Sequence, residues 1–201
     1  GFIPLMHLLY NRSMILPFLL SVAIDMSGLV VLPHDPDTGF FCLKDEKGRF
    51  HMPSTQRMAK PPRLHVGDYI RTSTEKDTVD GRNYEFCKNV TILKRVAPPD
   101  IPLRTAAAVN ISPHKHKIMR IQGVVQDAFR DECDKLWTFL IIKGEDGSFP
   151  FAATAPHKDS LALAEYIGST VEVSGIQTDE SGRTEPILYA SSLNSVRILS
   201  H

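Results

Sequence analysis

Ile118-Met-Arg-Ile-Gln-Gly123-Val-Val-Gln126 opens the stretch whose reading decides the fold. An acidic run follows, Arg130-Asp-Glu-Cys-Asp134, and then Leu136-Trp-Thr-Phe-Leu-Ile-Ile142, the turn Lys143-Gly-Glu-Asp-Gly147 and Ser148-Phe-Pro-Phe151. Tyr166-Ile-Gly-Ser-Thr-Val-Glu-Val-Ser-Gly175 and the run from Ile187 to Leu199 complete it. Each apolar run is short, rich in Val, Ile and Phe, and bounded by Gly, Asp or Pro, so each reads as a strand. The same order occurs earlier in the chain. Ile24-Asp-Met-Ser-Gly28-Leu-Val-Val31 leads to His34-Asp-Pro-Asp-Thr38, Phe40-Phe-Cys-Leu43, the turn Lys44-Asp-Glu-Lys-Gly48 and Arg49-Phe-His-Met52. Leu64-His-Val-Gly67-Asp-Tyr-Ile-Arg71 and the run Tyr84–Lys94 close this first copy. The glycines Gly28/Gly123, Gly48/Gly147 and Gly67/Gly168 match at offsets of 95, 99 and 101. A drifting offset with the order kept is the mark of a duplicated unit with loop insertions.

Five strands per copy, with an excursion between the third and fourth, is the plan of the OB-fold, a small Greek-key barrel. The expected fold is therefore all-β: two OB-like five-stranded barrels in tandem. A glycine in strand one (Gly28, Gly123) suits a strand that bends around a small barrel. Asp45–Gly48 and Glu145–Gly147 read as hairpin turns in which Gly supplies a positive φ. Helical signal is confined to Asp159–Tyr166 and to Ser54–Lys60, the latter cut short by Pro61-Pro62. The expected organisation is an apolar N-terminal segment (1–23) docked on the barrels, a first barrel (24–96), a Pro-rich linker (97–112) and a second barrel (113–201). Three prolines in Val96–Pro102 favour an extended, stiff connection.

The order Gly-Val-Val, acidic loop, aromatic strand, Asp-Gly turn and Ile-Gly-x-x-Val-x-Val-x-Gly in residues 118–175 resembles nucleic-acid-binding OB folds in general. The doubled arrangement, with Leu-x-Val-Gly-Asp before strand four and a Pro-rich link, is similar to paired OB modules in extracytoplasmic segments of bacterial sensor histidine kinases. The first copy departs from the pattern at Met26-Ser27-Gly28 and after strand three. That resemblance implies a binding or sensing module of a larger, membrane-anchored signalling protein outside the cytoplasm, with a cytoplasmic location as the alternative. Its motifs build barrels, so they speak for the fold more than for the function.

Composition narrows the function. The chain has 201 residues, with 23 Lys plus Arg against 23 Asp plus Glu. Residues 1–105 carry 14 basic and 11 acidic side chains, and residues 106–201 carry 9 and 12. Neither half is the strongly basic surface expected of a dedicated nucleic-acid grip. Cys42, Cys87 and Cys133 form no C-x-x-C pair and read best as buried thiols. The apolar stretches Gly1–Tyr10 and Met14–Ile24 are broken by Pro4, His7, Asn11, Arg12 and Pro17, short of the roughly 20 unbroken apolar residues of a membrane span. An initial Gly without a leader pattern points to a chain cut from a longer protein, and a membrane attachment would lie in segments beyond it.

Motifs for nucleophilic, metallohydrolase, P-loop or dinucleotide chemistry are absent from the sequence. His34-Asp35-Pro36-Asp37 and His114-Lys115-His116 lie in Pro-flanked connections and read as solvent-exposed loops rather than metal ligands. No enzyme activity, cofactor or metal is expected. The aromatic strand is more telling. Trp137, Phe139 and Ile141 face one way and Leu136, Thr138, Leu140 and Ile142 the other, yet both faces are apolar. One face fills the barrel. The other is either a ligand platform of Trp137 and Phe139 with Arg120, Arg130 and Lys143 nearby, or a face packed against the first copy; packing is the preferred reading. Phe40 and Phe41, with Arg49 and His51 on the next strand, pose the same choice. Acidic loops between strands one and two, where an OB groove forms, would repel phosphate. The expected function is thus non-catalytic capture of a small ligand or protein partner at an OB face or in the cleft between barrels. The alternative is single-stranded nucleic-acid binding, disfavoured by the zero net charge.

Overall fold

The computed structural model describes residues 23–79, 81–111, 116–130, 137–154, 163–178 and 186–201. The expected N-terminal segment therefore lies almost wholly outside the described residues. In the first half, β1 (Ile24–Leu32), β2 (Cys42–Asp45), β3 (Phe50–His51), β4 (Asp68–Val79) and β5 (Arg82–Arg95) form a sheet in the order β3-β2-β1-β4-β5. It closes just beyond β3, where Ser54 runs parallel to Phe86. There the Ser54 N–H donates to the Glu85 carbonyl (2.9 Å) and the Cys87 N–H to the Ser54 carbonyl (2.8 Å).

The second half repeats this plan with β6 (Lys117–Arg130), β7 (Thr138–Lys143), β8 (Phe151–Thr154), β9 (Thr170–Thr178) and β10 (Ile187–Ala190). Its order is β10-β8-β7-β6-β9, and β10 also pairs with β9 while running parallel to β8, which closes the barrel. A last strand, β11 (Val196–Ser200), extends β9 outward. In both halves the first strand pairs with the second and the fourth, and the third meets the fifth in parallel. That connectivity is the OB Greek key, twice over.

The strand-one glycines have a common cause. A Cβ on Gly28 would sit 2.3 Å from the Lys44 carbonyl oxygen, and one on Gly123 would sit 2.4 Å from that of Lys143. In each barrel the first strand is pressed against the end of the second, and its register slips a residue or two later, between Val30 and Leu32 and between Val125 and Asp127. Only a residue without a side chain allows that approach.

Each barrel has its own core. Val30, Phe41, Leu43, Leu64, Ile70 and Cys87 fill the first. Ile121, Val125, Leu140, Ile142, Val171, Val173 and Leu188 lead the second, joined by Val109 from a 3-10 turn at Ala106–Val109. The barrels also pack on each other. Val31, Leu32 and Cys42 of the first meet Ile176 of the second. Beside this seam the Ser191 hydroxyl donates to the Pro33 carbonyl (2.5 Å) and the Ser192 hydroxyl to Asp35 Oδ2 (2.8 Å).

Several expectations change. Ser54–Lys60 forms turns and bends rather than a helix, since its backbone is drawn into the barrel closure at Ser54. Of Asp159–Tyr166, only the end is described, with Leu163 and Ala164 helical. The Pro-rich connection is extended, but it does not stand free. Arg104 donates to the Arg120 carbonyl (2.8 Å) and Arg120 to the Pro102 carbonyl (2.9 Å), so the connection is laced to β6. Within His34-Asp35-Pro36-Asp37, Pro36 and Asp37 are exposed as expected and His34 is half-buried, but Asp35 is only 7% exposed. Its Oδ1 accepts from the Asp37 and Thr38 N–H groups and the Thr38 hydroxyl, and His34 Nε2 pairs with Thr55 Oγ1 at 2.9 Å. Partial burial holds the His34 imidazole below its ordinary range.

Candidate ligand-binding cleft

Strand alternation places the aromatic residues. Thr138, Leu140 and Ile142 point into the second barrel with no exposure. Trp137 and Phe139 point outward but are only 7% and 2% exposed: Phe40 of the first barrel covers Trp137, while Phe129 of the second barrel stacks on Phe139 at 5.7 Å. Phe40, Trp137, Phe139, Ala153 and Ile187 make one apolar cluster across the seam, with Met52, Tyr84, Phe151 and Tyr189 at its margin. Phe40 stacks on Trp137 at 5.5 Å between ring centroids, and Tyr189 meets Trp137 edge-on at 5.1 Å. Phe41, the next residue in the chain, turns the other way and is fully buried in the first core, with the His34 ring edge-on to it. The packing reading of this face is therefore what the structure shows, and Phe41 is core.

The basic residues named from sequence disperse. Arg120 Nε donates to the Ile101 carbonyl (2.8 Å) and its guanidinium reaches Glu172 (3.5 Å), so Arg120 fastens the connection to the second barrel. Arg130 and Lys143 are exposed at the ends of β6 and β7. Arg49 pairs through Nε (2.8 Å) with the same Asp45 oxygen that His51 approaches, and it lines a smaller depression of about 540 Å³ rather than the cleft that His51 reaches.

His51 is brought to a cleft of about 860 Å³ between the barrels. Phe40, Phe50, Met52, Tyr84, Trp137 and Tyr189 give it an apolar wall, and Lys76, Arg82, Glu85, Thr178 and His116 supply its polar groups. The β4–β5 hairpin forms one lip, where Gly81 at φ +81° turns the chain from Lys76 toward Arg82. Thr178, at the end of β9, and His116, just before β6, form the other. The β4–β5 turn of the first barrel and the end of the fourth strand of the second thus flank the cleft, and in OB folds the loop after strand four and the face of strands two and three are the usual ligand surfaces.

Charge in the cleft floor is organised around His51. Its Nε2 lies 3.1 Å from Asp45 Oδ2 and its Nδ1 lies 3.6 Å from Glu85 Oε2. The Glu85 carboxylate raises the His51 pKa above its ordinary value, against partial burial and with help from Asp45. Burial pushes Glu85 up, but His51 and the Thr74 hydroxyl (2.6 Å to Oε1) outweigh it and hold the carboxyl below its usual range. Burial also acts on Asp45, yet the Arg49 N–H, His51 and the Arg49 guanidinium overcome it and keep that group well below the carboxylate range. Among the described residues no three His, Cys, Asp or Glu side chains come together as metal ligands. An aromatic wall with cations at its lips suits a flat, polar or anionic molecule held by stacking and by charge.

Sequence reasoning missed Lys76, Arg82, Tyr84, Glu85, Thr178 and Tyr189. The one available signal was the run of charged residues on either side of the Gly81 turn.

No protein-family model matches the chain, and no curated protein matches it. Among solved structures, a tetrameric HIN2 is similar at TM-score 0.39 and 11% identity, over 90% of this chain and 96% of that one. A Replication Protein A heterotrimer bound to ssDNA gives TM-score 0.37 and 8% identity over 89% of this chain, which spans 49% of that one. Fission yeast Pot1 with ssDNA gives 0.34 and 11%, over 90% of this chain and 84% of that one. The strand order and the two parallel closures, rather than these likenesses, carry the conclusion that the chain is a tandem of OB folds.

Proposed function

We propose that this chain is a non-catalytic binding module that takes a short stretch of single-stranded nucleic acid into the cleft between its barrels. The observation that supports it is the cleft itself, where half-buried Phe50, Tyr84 and Tyr189 line a wall flanked by Lys76 and Arg82. Bases stack on such rings and phosphates meet such cations. The acidic first loop speaks less against this reading than the sequence implied, since Asp35 is turned into the seam and bonded by Ser192, which leaves Asp37 as its exposed carboxylate. Zero net charge then sets the character of the binding rather than excluding it. Two cations at the lips imply about two phosphate contacts, hence a log–log salt slope near −1.4 for a single strand, far shallower than that of a basic groove.

The test is fluorescence anisotropy of a labelled decanucleotide across a salt series, with wild type and Lys76→Glu/Arg82→Glu. Micromolar binding with that shallow slope, weakened at least about tenfold by the double variant, is expected. No binding at low salt, or equal binding by the variant, would overturn the reading.

A second reading is a small-ligand sensing module in a membrane-anchored signalling protein, outside the cytoplasm. The volume of the cleft supports the small-ligand part of this reading alone, because about 860 Å³ lies within the range of small-molecule sites. A thermal shift with mononucleotides or sugars, in the absence of any oligonucleotide binding, would select it.

A further inference from the structure

The cleft lip formed by β4 and β5 is a ribbon that outruns its barrel. Among the described residues, β1 pairs with β4 only as far as Thr74, and Ser54 meets β5 at Phe86, so residues 75–79 and 82–85 have no third strand beside them. A two-stranded ribbon is marginally stable by itself. Arg57 reaches it from the turn after the barrel closure. That turn is fixed by the Thr55 N–H on the Gly39 carbonyl (2.9 Å) and the Met58 N–H on the Thr55 carbonyl (2.9 Å). Arg57 Nη1 lies 2.7 Å from Asp77 Oδ2 on β4, and the guanidinium carbon stands 3.7 Å from the centre of the Phe86 ring on β5. Asp77 Oδ1 meanwhile accepts from the Thr78 N–H (2.8 Å), which aims the carboxylate.

We propose that Arg57 is a positioning residue: it straps both strands of the ribbon to the first barrel and so fixes where Lys76, Arg82 and Tyr84 stand in the cleft. Its effect on binding rests on the nucleic-acid reading of that cleft. The register allows this, because Asp77 pairs directly with Tyr84 and Phe86 lies two residues on, so all three side chains leave the ribbon on one face. Tyr84 leans toward Phe40 inside the cleft, 6.0 Å between ring centroids, while Arg57 stands outside the cleft wall. An exposed ion pair alone contributes little. Here the same guanidinium also covers a ring that is 5% exposed, and the cation–ring contact adds to the pair. With the strap released, a ligand must order the lip as it binds, and affinity falls by that cost.

The experiment reads hydrogen exchange of the free protein in wild type, Arg57→Met and Arg57→Lys, and then the anisotropy of a labelled deoxycytidine decamer with each. Arg57→Met keeps an apolar cover on Phe86 and removes the charge. It should speed exchange at residues 75–79 and 81–85 by about three- to tenfold, the size of one cation–ring contact with its ion pair. The slowest amides of β1 and β7 should not change. Decamer binding should weaken by a similar factor through faster dissociation, and Arg57→Lys should recover part of both effects. Unchanged exchange in the ribbon, or exchange raised across both barrels, would overturn the inference, and so would equally tight decamer binding by Arg57→Met and wild type. If Arg57→Met fails to fold, Asp77→Asn takes its place with the same expectations. A wild type that binds no decamer would overturn the nucleic-acid reading, and the exchange result would still decide the strap.

Discussion

Truncating Phe40 tests the packing between barrels. The ring is 4% exposed and stacks on Trp137 at 5.5 Å, so Phe40→Ala removes the main cover of the only tryptophan. Re-exposing a buried Phe side chain costs about 1.5–3 kcal/mol. Losing the ring pair adds about 0.5–1.5 kcal/mol. The site borders an open cleft, so water can fill the gap and little is added for an empty cavity. The expected loss is about 3 kcal/mol, read as a lowered urea midpoint at unchanged m-value. Trp137 emission reports the same event without unfolding, and should move to longer wavelength in the native variant. An unchanged emission maximum, with stability within about 0.5 kcal/mol of wild type, is what an ordinary surface substitution gives and would refute the packing described.

Other consequences can be checked alongside. Gly28→Ala and Gly123→Ala should each lower the thermal midpoint far more than Gly48→Ala or Gly147→Ala. The first pair drives a Cβ to 2.3 and 2.4 Å from a carbonyl oxygen, while the turn glycines at φ +78° have nothing within 4 Å and cost only about 1–2 kcal/mol of left-handed strain. Ser192→Ala leaves Asp35 short of one buried partner and should cost about 1–3 kcal/mol by chemical denaturation, whereas replacing an exposed serine would cost almost nothing. The His51 pKa is raised in the folded state, so its contribution to stability is complete below the ordinary histidine value and is lost as pH rises through the raised one. Urea midpoints should therefore fall from near-neutral to mildly alkaline pH in wild type, and His51→Gln should flatten that decline. Asp45 and Glu85 are shifted down, so their contribution is present above the ordinary carboxylate range and disappears on acidification.

The barrels were legible because their constraints are local. Gly28 and Gly123 answer to a carbonyl one strand away, and Gly48 and Gly147 to a tight turn, so repeated spacing exposes them. Alternation in Leu136–Ile142 likewise revealed that both faces are apolar. What covers the outer face was open in the sequence, because Phe40 and Trp137 are far apart in the chain and meet only when two barrels dock. Asp35 looked like a solvated loop residue because its buried partner, Ser192, is also distant in sequence. The cleft was hidden for the same reason. Lys76, Arg82 and Tyr84 lie on the first barrel's long hairpin, Thr178 and Tyr189 on the second barrel, and no local pattern joins them. Arg120, promising beside an aromatic strand, serves the chain connection because Glu172 and the Ile101 carbonyl hold it there.

The most direct test of the central claim uses Trp137, whose ring forms part of the cleft wall. Titrating a cytidine decamer while recording anisotropy and Trp137 emission together locates the binding as well as detecting it. Quenching of Trp137 in step with the anisotropy rise is the predicted result. A rise in anisotropy with Trp137 emission unmoved would place the nucleic acid elsewhere on the molecule and contradict the account.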